Sequence, residues 1–181
     1  MNYVQIRPND IANGPGVRVT LFVSGCNLNC KGCFNKEAQN FFAGQQFTQN
    51  TIDEILVLCD KPHIQGLTLL GGDPLEPENQ EPTLALLRAF RNKFGNTKDI
   101  WVWTGRIYDI ELQPKGKYYV ENTTDEFLSL IDILVDGRFV QRLMKKGLIY
   151  MGSTNQRIID MQETIKCGKL ILSQYDKLER R

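Results

Sequence analysis

Four short apolar runs in this chain each end on glycine beside a polar or cysteine side chain, with helical stripes between them. Val17–Val23, VRVTLFV, is rich in β-branched and apolar residues and reads as a strand ending at Ser24-Gly25-Cys26. Residues 66–70, GLTLL, end at Gly71-Gly72-Asp73-Pro74, and Asp99–Trp103, DIWVW, ends at Thr104-Gly105-Arg106. Residues 131–135, IDILV, end at Asp136-Gly137-Arg138, and Arg157–Asp160 is a further candidate strand with a helix after Met161. Between them, residues 51–60 place Ile52, Ile55, Leu56 and Cys59 on one helical face. That helix starts at Thr48 or in a box of Thr51 and Glu54. Residues 83–94 read as a helix opened near Pro82, and residues 123–131 as one starting at a Thr123/Glu126 box.

Strand–helix alternation predicts an α/β fold with a mostly parallel sheet. A complete eight-unit barrel takes about 250 residues. The expectation is therefore an incomplete parallel β/α barrel of about five or six strands, one domain over residues 1–181. No repeat, low-complexity tract or linker divides it. Parallel α/β folds carry their chemistry at the carboxyl ends of the strands. Turn chemistry also places glycines there, but four such loops on one rim form a consistent site.

The 22 basic and 21 acidic residues leave a net charge of +1, which gives no overall footprint for nucleic acid or anionic membrane. The first residues, MNYVQIRPND, are polar and contain no apolar core of a secretory signal. No apolar run approaches the roughly 20 residues needed to span a bilayer. The expected location is cytoplasmic, where thiols stay reduced and clustered cysteines point to metal or catalysis.

Three of the five cysteines lie in residues 24–35, SGCNLNCKGCFN, with the spacing C-x3-C-x2-C. A structural zinc site needs a fourth ligand. Cys59 or Cys167 could supply it, although Cys59 belongs to the helical stripe and His63 lies outside any zinc-type pattern. An iron–sulfur cluster held by three thiolates would keep one iron open, as a catalytic centre requires.

C-x3-C-x2-C after the first strand of a partial barrel resembles the radical S-adenosylmethionine superfamily, and Gly71-Gly72-Asp73-Pro74 resembles its GGEP motif with Asp for Glu. More closely, NGPGVRVTLFVSGCNLNCKGCFN, LTLLGGDPL, WVWTG, DILVDGRF and STNQRIID resemble the activating proteins of anaerobic (class III) ribonucleoside-triphosphate reductases.

That resemblance implies that Cys26, Cys30 and Cys33 ligate a [4Fe–4S] cluster whose fourth iron binds S-adenosylmethionine. It places Gly32 before the third cysteine and Phe34 after it, with Phe34 near the adenine; ordinary core packing is the alternative. Gly71 and Gly72 would let the backbone approach the methionine moiety, and Asp73 would accept from its ammonium. Thr104 would contact the ribose or methionine part. Asp136 and Arg138 would orient one another, with Arg157 a second partner for a carboxylate; surface ion pairs are the alternative. Asn13 replaces the Asp of a DGPGVR segment found in glycyl-radical activating enzymes, and its loop would lie near the protein substrate.

The implied reaction is reductive cleavage of S-adenosylmethionine to a 5′-deoxyadenosyl radical, which generates a glycyl radical on the anaerobic reductase. A flavodoxin-like or other low-potential donor would supply the electron. An activator of pyruvate formate-lyase or of another glycyl-radical enzyme is the alternative, and a zinc-binding interaction module stands behind it.

Overall fold

The computed structural model describes residues 1–179; Arg180 and Arg181, the end of the single domain expected over residues 1–181, lie outside the described residues. Among those described, seven strands form one sheet: β1 (Asn2–Asp10), β2 (Val17–Val23), β3 (Gln45–Gln46), β4 (Ile64–Gly71), β5 (Asp99–Trp103), β6 (Ile133–Asp136) and β7 (Arg157–Asp160). Their order is β3-β1-β2-β4-β5-β6-β7. The central strands β2, β4, β5 and β6 run parallel, while β1, β3 and β7 pair antiparallel at the flanks. Sequence analysis missed β1. Its run NYVQIRPND buries only Tyr3 and Asp10, so it lacks a strong apolar signal.

The helices are α1 (Gln49–Cys59), α2 (Pro77–Phe94), α3 (Tyr108–Glu111), α4 (Thr123–Leu130), α5 (Met161–Cys167) and α6 (Gln174–Glu179). Thr48 is the N-cap of α1, and its backbone N–H donates to Thr51 Oγ1, which settles the start left open above. Helix α2 begins six residues earlier than expected. Pro77 takes the first-turn position, and Pro82 lies inside the helix. The Thr123/Glu126 box does not form: Asn122 occupies the N-cap position of α4 without a side-chain capping bond, and Glu126 instead accepts two hydrogen bonds from Arg88 of α2 at 2.7 and 2.6 Å.

Strand alternation sorts the two faces of the sheet. Leu21, Leu69, Val102 and Leu134 join the main core with Ile55 of α1, Leu84 and Phe90 of α2 and Phe127 of α4. On the opposite face, Phe22, Leu70 and Trp103 form part of a cavity wall, and Trp101, Ile133 and Ile158 make a second apolar cluster. No helix among the described residues is long and apolar enough to cross a membrane.

Candidate active site

Because β2, β4, β5 and β6 are parallel, their carboxyl ends meet at one rim, and hydrogen bonds continue across it. Gly72 N–H donates to Val23 O (2.7 Å) and Asp73 N–H to Gly25 O (2.9 Å). Thr104 N–H donates to Val135 O and Gly137 N–H to Arg106 O, both at 2.9 Å. The cysteine loop is fastened at both ends, with Gly25 N–H to Ala38 O (2.8 Å) and Cys26 N–H to Gln39 O (3.1 Å). Asn79 of α2, itself buried, donates to Ser24 O and Asp73 O, both at 2.9 Å.

Cys26, Cys30 and Cys33 are half-buried and free, and all three line one cavity of about 620 Å³. That volume suits a small-molecule site. Gly71, Gly72, Asp73, Thr104 and Phe34 line it as well. Burial pushes the Cys26 thiol up to about 12, with the Asp73 carboxylate adding to the shift. Cys30 is raised first by burial and then by neighbouring Cys33. Among the described residues no three His, Cys, Asp or Glu side chains converge as a single ion requires. The three thiols are instead spread along one loop, and in a cluster each thiolate takes its own iron. Three sulfur donors on one wall of a ligand-sized cavity fit an iron–sulfur cluster with one iron left for a further ligand.

Gly71 and Gly72 serve the protein's own packing. Gly71 has φ +112°, and a Cβ at Gly72 would lie 2.5 Å from Gly25 O and 2.7 Å from Ala38 O. The turn after β4 therefore sits directly on the backbone that carries the cysteines. Asp73 is completely buried. Its carboxylate accepts from Leu75 N–H (3.0 Å), Thr104 Oγ1 (2.8 Å) and Gly105 N–H (3.0 Å). Its pKa is raised, because burial outweighs the opposing pull of Arg106 and these donors. Asp73 and Thr104, expected to face the ligand separately, are thus bonded to each other at the cavity wall.

Behind that wall lies a buried polar network that sequence analysis did not find. Arg106 pairs with Glu76, and both side chains are excluded from solvent. Arg106 Nε stands 3.5 Å from Asp73 Oδ2, and its guanidinium lies 3.5 Å from the centre of the Tyr118 ring. Glu76 accepts from Asn27 in the cysteine loop, at 2.8 Å from Nδ2 and 3.3 Å from the backbone N–H. One chain of contacts thus joins the cysteine loop, the turn after β4 and the loop after β5. A polar residue at each of three strand ends was the available signal, but their meeting depends on the fold.

Other expected residues divide. Phe34 is 72 % exposed, which excludes core packing, and its ring pairs with Phe139 at 5.1 Å. Gly32 (φ +74°) does not line the cavity, and a Cβ there would meet the Gln141 side chain at 2.9 Å. Asp136 does not pair with Arg138. Register places it opposite Arg157, whose Nε donates to Asp136 Oδ1 at 2.9 Å. Arg157 Nη2 reaches Asp136 Oδ2 at 2.5 Å and Asp109 at 2.7 Å. Asp136 is buried, so this is not a surface pair, while Arg138 is exposed. None of the three lines the cavity. Asn13 does, and its side chain donates to Asp10 Oδ2 at 2.7 Å. Cys59 is a core thiol, Cys167 is exposed, and His63 meets Asn9 at 3.1 Å on the surface. The far wall, residues 148–152, carried no sequence signal.

Comparison with known proteins places this site in context. Residues 12–159 match the family model of a 4Fe-4S single cluster domain. The anaerobic ribonucleoside-triphosphate reductase-activating protein of Enterobacteria phage T4 is 43% identical over 158 residues, 87% of this chain and 93% of that protein. Its namesake in Escherichia coli (strain K12) is 46% identical over 86% of this chain and 96% of that protein. The protein of the same name in Vibrio cholerae is 40% identical over 160 residues, 87% of this chain and 97% of its own.

Proposed function

The chain belongs to the family of anaerobic ribonucleoside-triphosphate reductase-activating proteins, and from that premise we propose that it installs a glycyl radical on an anaerobic ribonucleoside-triphosphate reductase. The observation that carries this reading is the meeting of three half-buried thiols from one loop with the Gly71-Gly72-Asp73 turn in one cavity. In this reading Cys26, Cys30 and Cys33 would hold a [4Fe–4S] cluster beside S-adenosylmethionine. Given one electron from a low-potential donor, the bound groups would supply reductive C5′–S cleavage, releasing methionine and a 5′-deoxyadenosyl radical able to take hydrogen from the α-carbon of a partner glycine.

The protein's own residues position and shield. Gly72 permits the turn to rest on the cysteine loop, and Asp73 with Thr104 locks the adjoining strand end beside the ligand. Phe34 offers an exposed ring to the adenine. Apolar lining from Leu28, Trp103 and Leu148 keeps water from the reacting atoms. The Asp136–Arg157 pair braces the β6–β7 end of the rim, Gly32 shapes the cysteine loop, and Arg138 adds positive charge near Cys30. The Asn13 loop, at the cavity edge, meets the protein substrate. We read the seven-stranded sheet as an incomplete barrel, open to admit a loop of the partner. The chain acts as one domain in the cytoplasm, with a flavodoxin-like or other low-potential protein as donor.

The test is anaerobic. Reconstituted protein should contain iron and sulfide, and with a reductant, S-adenosylmethionine and the reductase it should yield a glycyl-radical signal in electron paramagnetic resonance. Activation of pyruvate formate-lyase alone would make the partner wrong. Stoichiometric zinc without iron in anaerobically purified protein would overturn the cluster.

A further inference from the structure

Strand β1 and the loop after it bring two polar side chains, Arg7 and Asn13, to the wall of the cavity. Arg7 lies opposite Thr20 and Asp10 opposite Arg18, so their backbone is set toward the amino end of β2, while the cysteine loop leaves its carboxyl end. Arg7 is the only Lys or Arg among the described residues that lines the cavity. Its guanidinium rests over the Phe22 ring, 4.6 Å from the centre, and its Nε donates to Gln5 Oε1 at 3.0 Å. Among the described residues its two Nη groups make no hydrogen bond and it forms no ion pair. The guanidinium is thus held in place with both outer nitrogens still to donate.

Asn13 is oriented by Asp10. The Asp10 carboxylate is 5% exposed and accepts from Ala12 N–H at 2.8 Å and from Asn13 Nδ2 at 2.7 Å. Burial opposes its ionisation, but these donors, with the charge of Arg7, hold its carboxyl below the usual range. An ionised carboxylate only accepts, so the amide must turn its NH2 toward Asp10 and its Oδ1 the other way. That Oδ1 takes no hydrogen bond among the described residues. The backbone beneath it is pinned as well. Thr68 Oγ1 donates to Asn13 O at 2.8 Å and accepts from Nε of the buried Arg18 at 2.8 Å.

A glycine offers a recognising protein no side chain. Its polar handles are one backbone N–H and one backbone C=O. The Arg7 Nη groups can only donate, and Asn13 Oδ1 can only accept. We propose that Arg7 and Asn13 clamp the main chain of the partner segment that bears the reacting glycine, with Asn13 Oδ1 accepting the glycine's N–H and Arg7 donating to a carbonyl of the same segment. Asp10 is the positioning residue that keeps the acceptor end of Asn13 free. The inference rests on the glycyl-radical reading given above and names the side chains that hold the glycine for it. A glycine held at its backbone presents its α-hydrogens in one orientation, which is what a hydrogen transfer at short range requires. No bond forms or breaks at the clamp. Asp10 also accounts for the amide at position 13: a carboxylate there would face a second, buried carboxylate at hydrogen-bond distance.

The test uses reconstituted holoprotein with S-adenosylmethionine, left unreduced, and a synthetic peptide copied from the reductase around its radical glycine. Calorimetric titration reads the peptide's affinity. In a second peptide an ester replaces the amide on the amino side of that glycine, which deletes the one N–H and keeps the shape. The unaltered protein should bind the ester peptide about five- to ten-fold more weakly, the effect of one hydrogen bond. Asn13→Ala should bind both peptides alike. Asp10→Asn should lose most of the discrimination, because the amide is then free to turn. Adding Asn13→Asp to Asp10→Asn again sets a donor against a carboxylate and should recover it, which a loss of folding could not do. Arg7→Ala should weaken both peptides equally, by about ten-fold, and leave S-adenosylmethionine affinity unchanged. Equal affinity of the two peptides for the unaltered protein, or undiminished discrimination by Asn13→Ala, overturns the clamp while the glycyl-radical reading stands. So does loss of S-adenosylmethionine affinity in Arg7→Ala, which would assign the guanidinium to the cofactor's carboxylate, and so does a peptide that does not bind at all. Absence of iron in the unaltered protein, or of a glycyl radical on the whole reductase, overturns the reading itself and the clamp with it.

Discussion

Replacing Glu76 with Ala should weaken this protein more than any surface change. Glu76 and Arg106 are 2% and 0% exposed, and Glu76 is also the acceptor for both donors of Asn27. The substitution strands a buried guanidinium that retains only Asp73 Oδ2 at 3.5 Å, plus the face of Tyr118. Breaking a buried ion pair from one side costs about 3–5 kcal/mol. In a domain of this size each kcal/mol moves the melting temperature by about 2–4 °C, so a fall of roughly 6–20 °C is expected. Thermal unfolding of the metal-free protein measures this without interference from cluster loss. Glu76→Gln, which keeps a carbonyl acceptor for Asn27 but removes the charge, should fall between the two. Iron retention should drop in parallel, because Asn27 adjoins Cys26. A Glu76→Ala melting temperature within about 2 °C of the unaltered protein would refute the reasoning, as would Gln and Ala variants of equal stability.

Replacing any of Cys26, Cys30 or Cys33 with Ala should abolish stable cluster assembly while Cys59→Ala and Cys167→Ala retain it, as read from anaerobic iron content and visible absorbance. In the metal-free native protein at pH 8, iodoacetamide should label exposed Cys167 and spare Cys59 until unfolding. Cys59 is completely buried, and burial pushes its thiol up to about 12, leaving a very small thiolate fraction below that pH. Mass spectrometry after timed quenching decides, and equal labelling of the two would refute the burial. Gly72→Ala should displace the cysteine loop, since its Cβ would come within 2.5 Å of Gly25 O. Overpacking of this kind costs about 1–3 kcal/mol, and unchanged stability with full iron content would show that the contact is not tight.

Much of this was legible because it is local. C-x3-C-x2-C needs no tertiary information to suggest a cluster, and glycine-terminated β-branched runs mark strands that end at one rim. Strand β1 escaped notice because only Tyr3 and Asp10 in it are buried and Pro8 interrupts the run, which leaves little apolar periodicity. The Asn27–Glu76–Arg106 network escaped because its members come from three loops and meet only when β2, β4 and β5 lie side by side. The expected pairing of Asp136 with Arg138 failed because Gly137, at φ +96°, turns the chain, while antiparallel register brings Arg157 opposite Asp136. Asp73 and Thr104 were correctly placed at the rim, but spacing along the chain could not show that each would be the other's hydrogen-bond partner.

The most direct measurement follows a single hydrogen atom. Anaerobic reductase labelled with α-deuterated glycine should be incubated with the reduced holoprotein and S-adenosylmethionine, and the released 5′-deoxyadenosine analysed by mass spectrometry. The account predicts deuterium in that product together with a glycyl radical on the reductase. Cleavage that yields 5′-deoxyadenosine without deuterium, and no radical on the reductase, would contradict it.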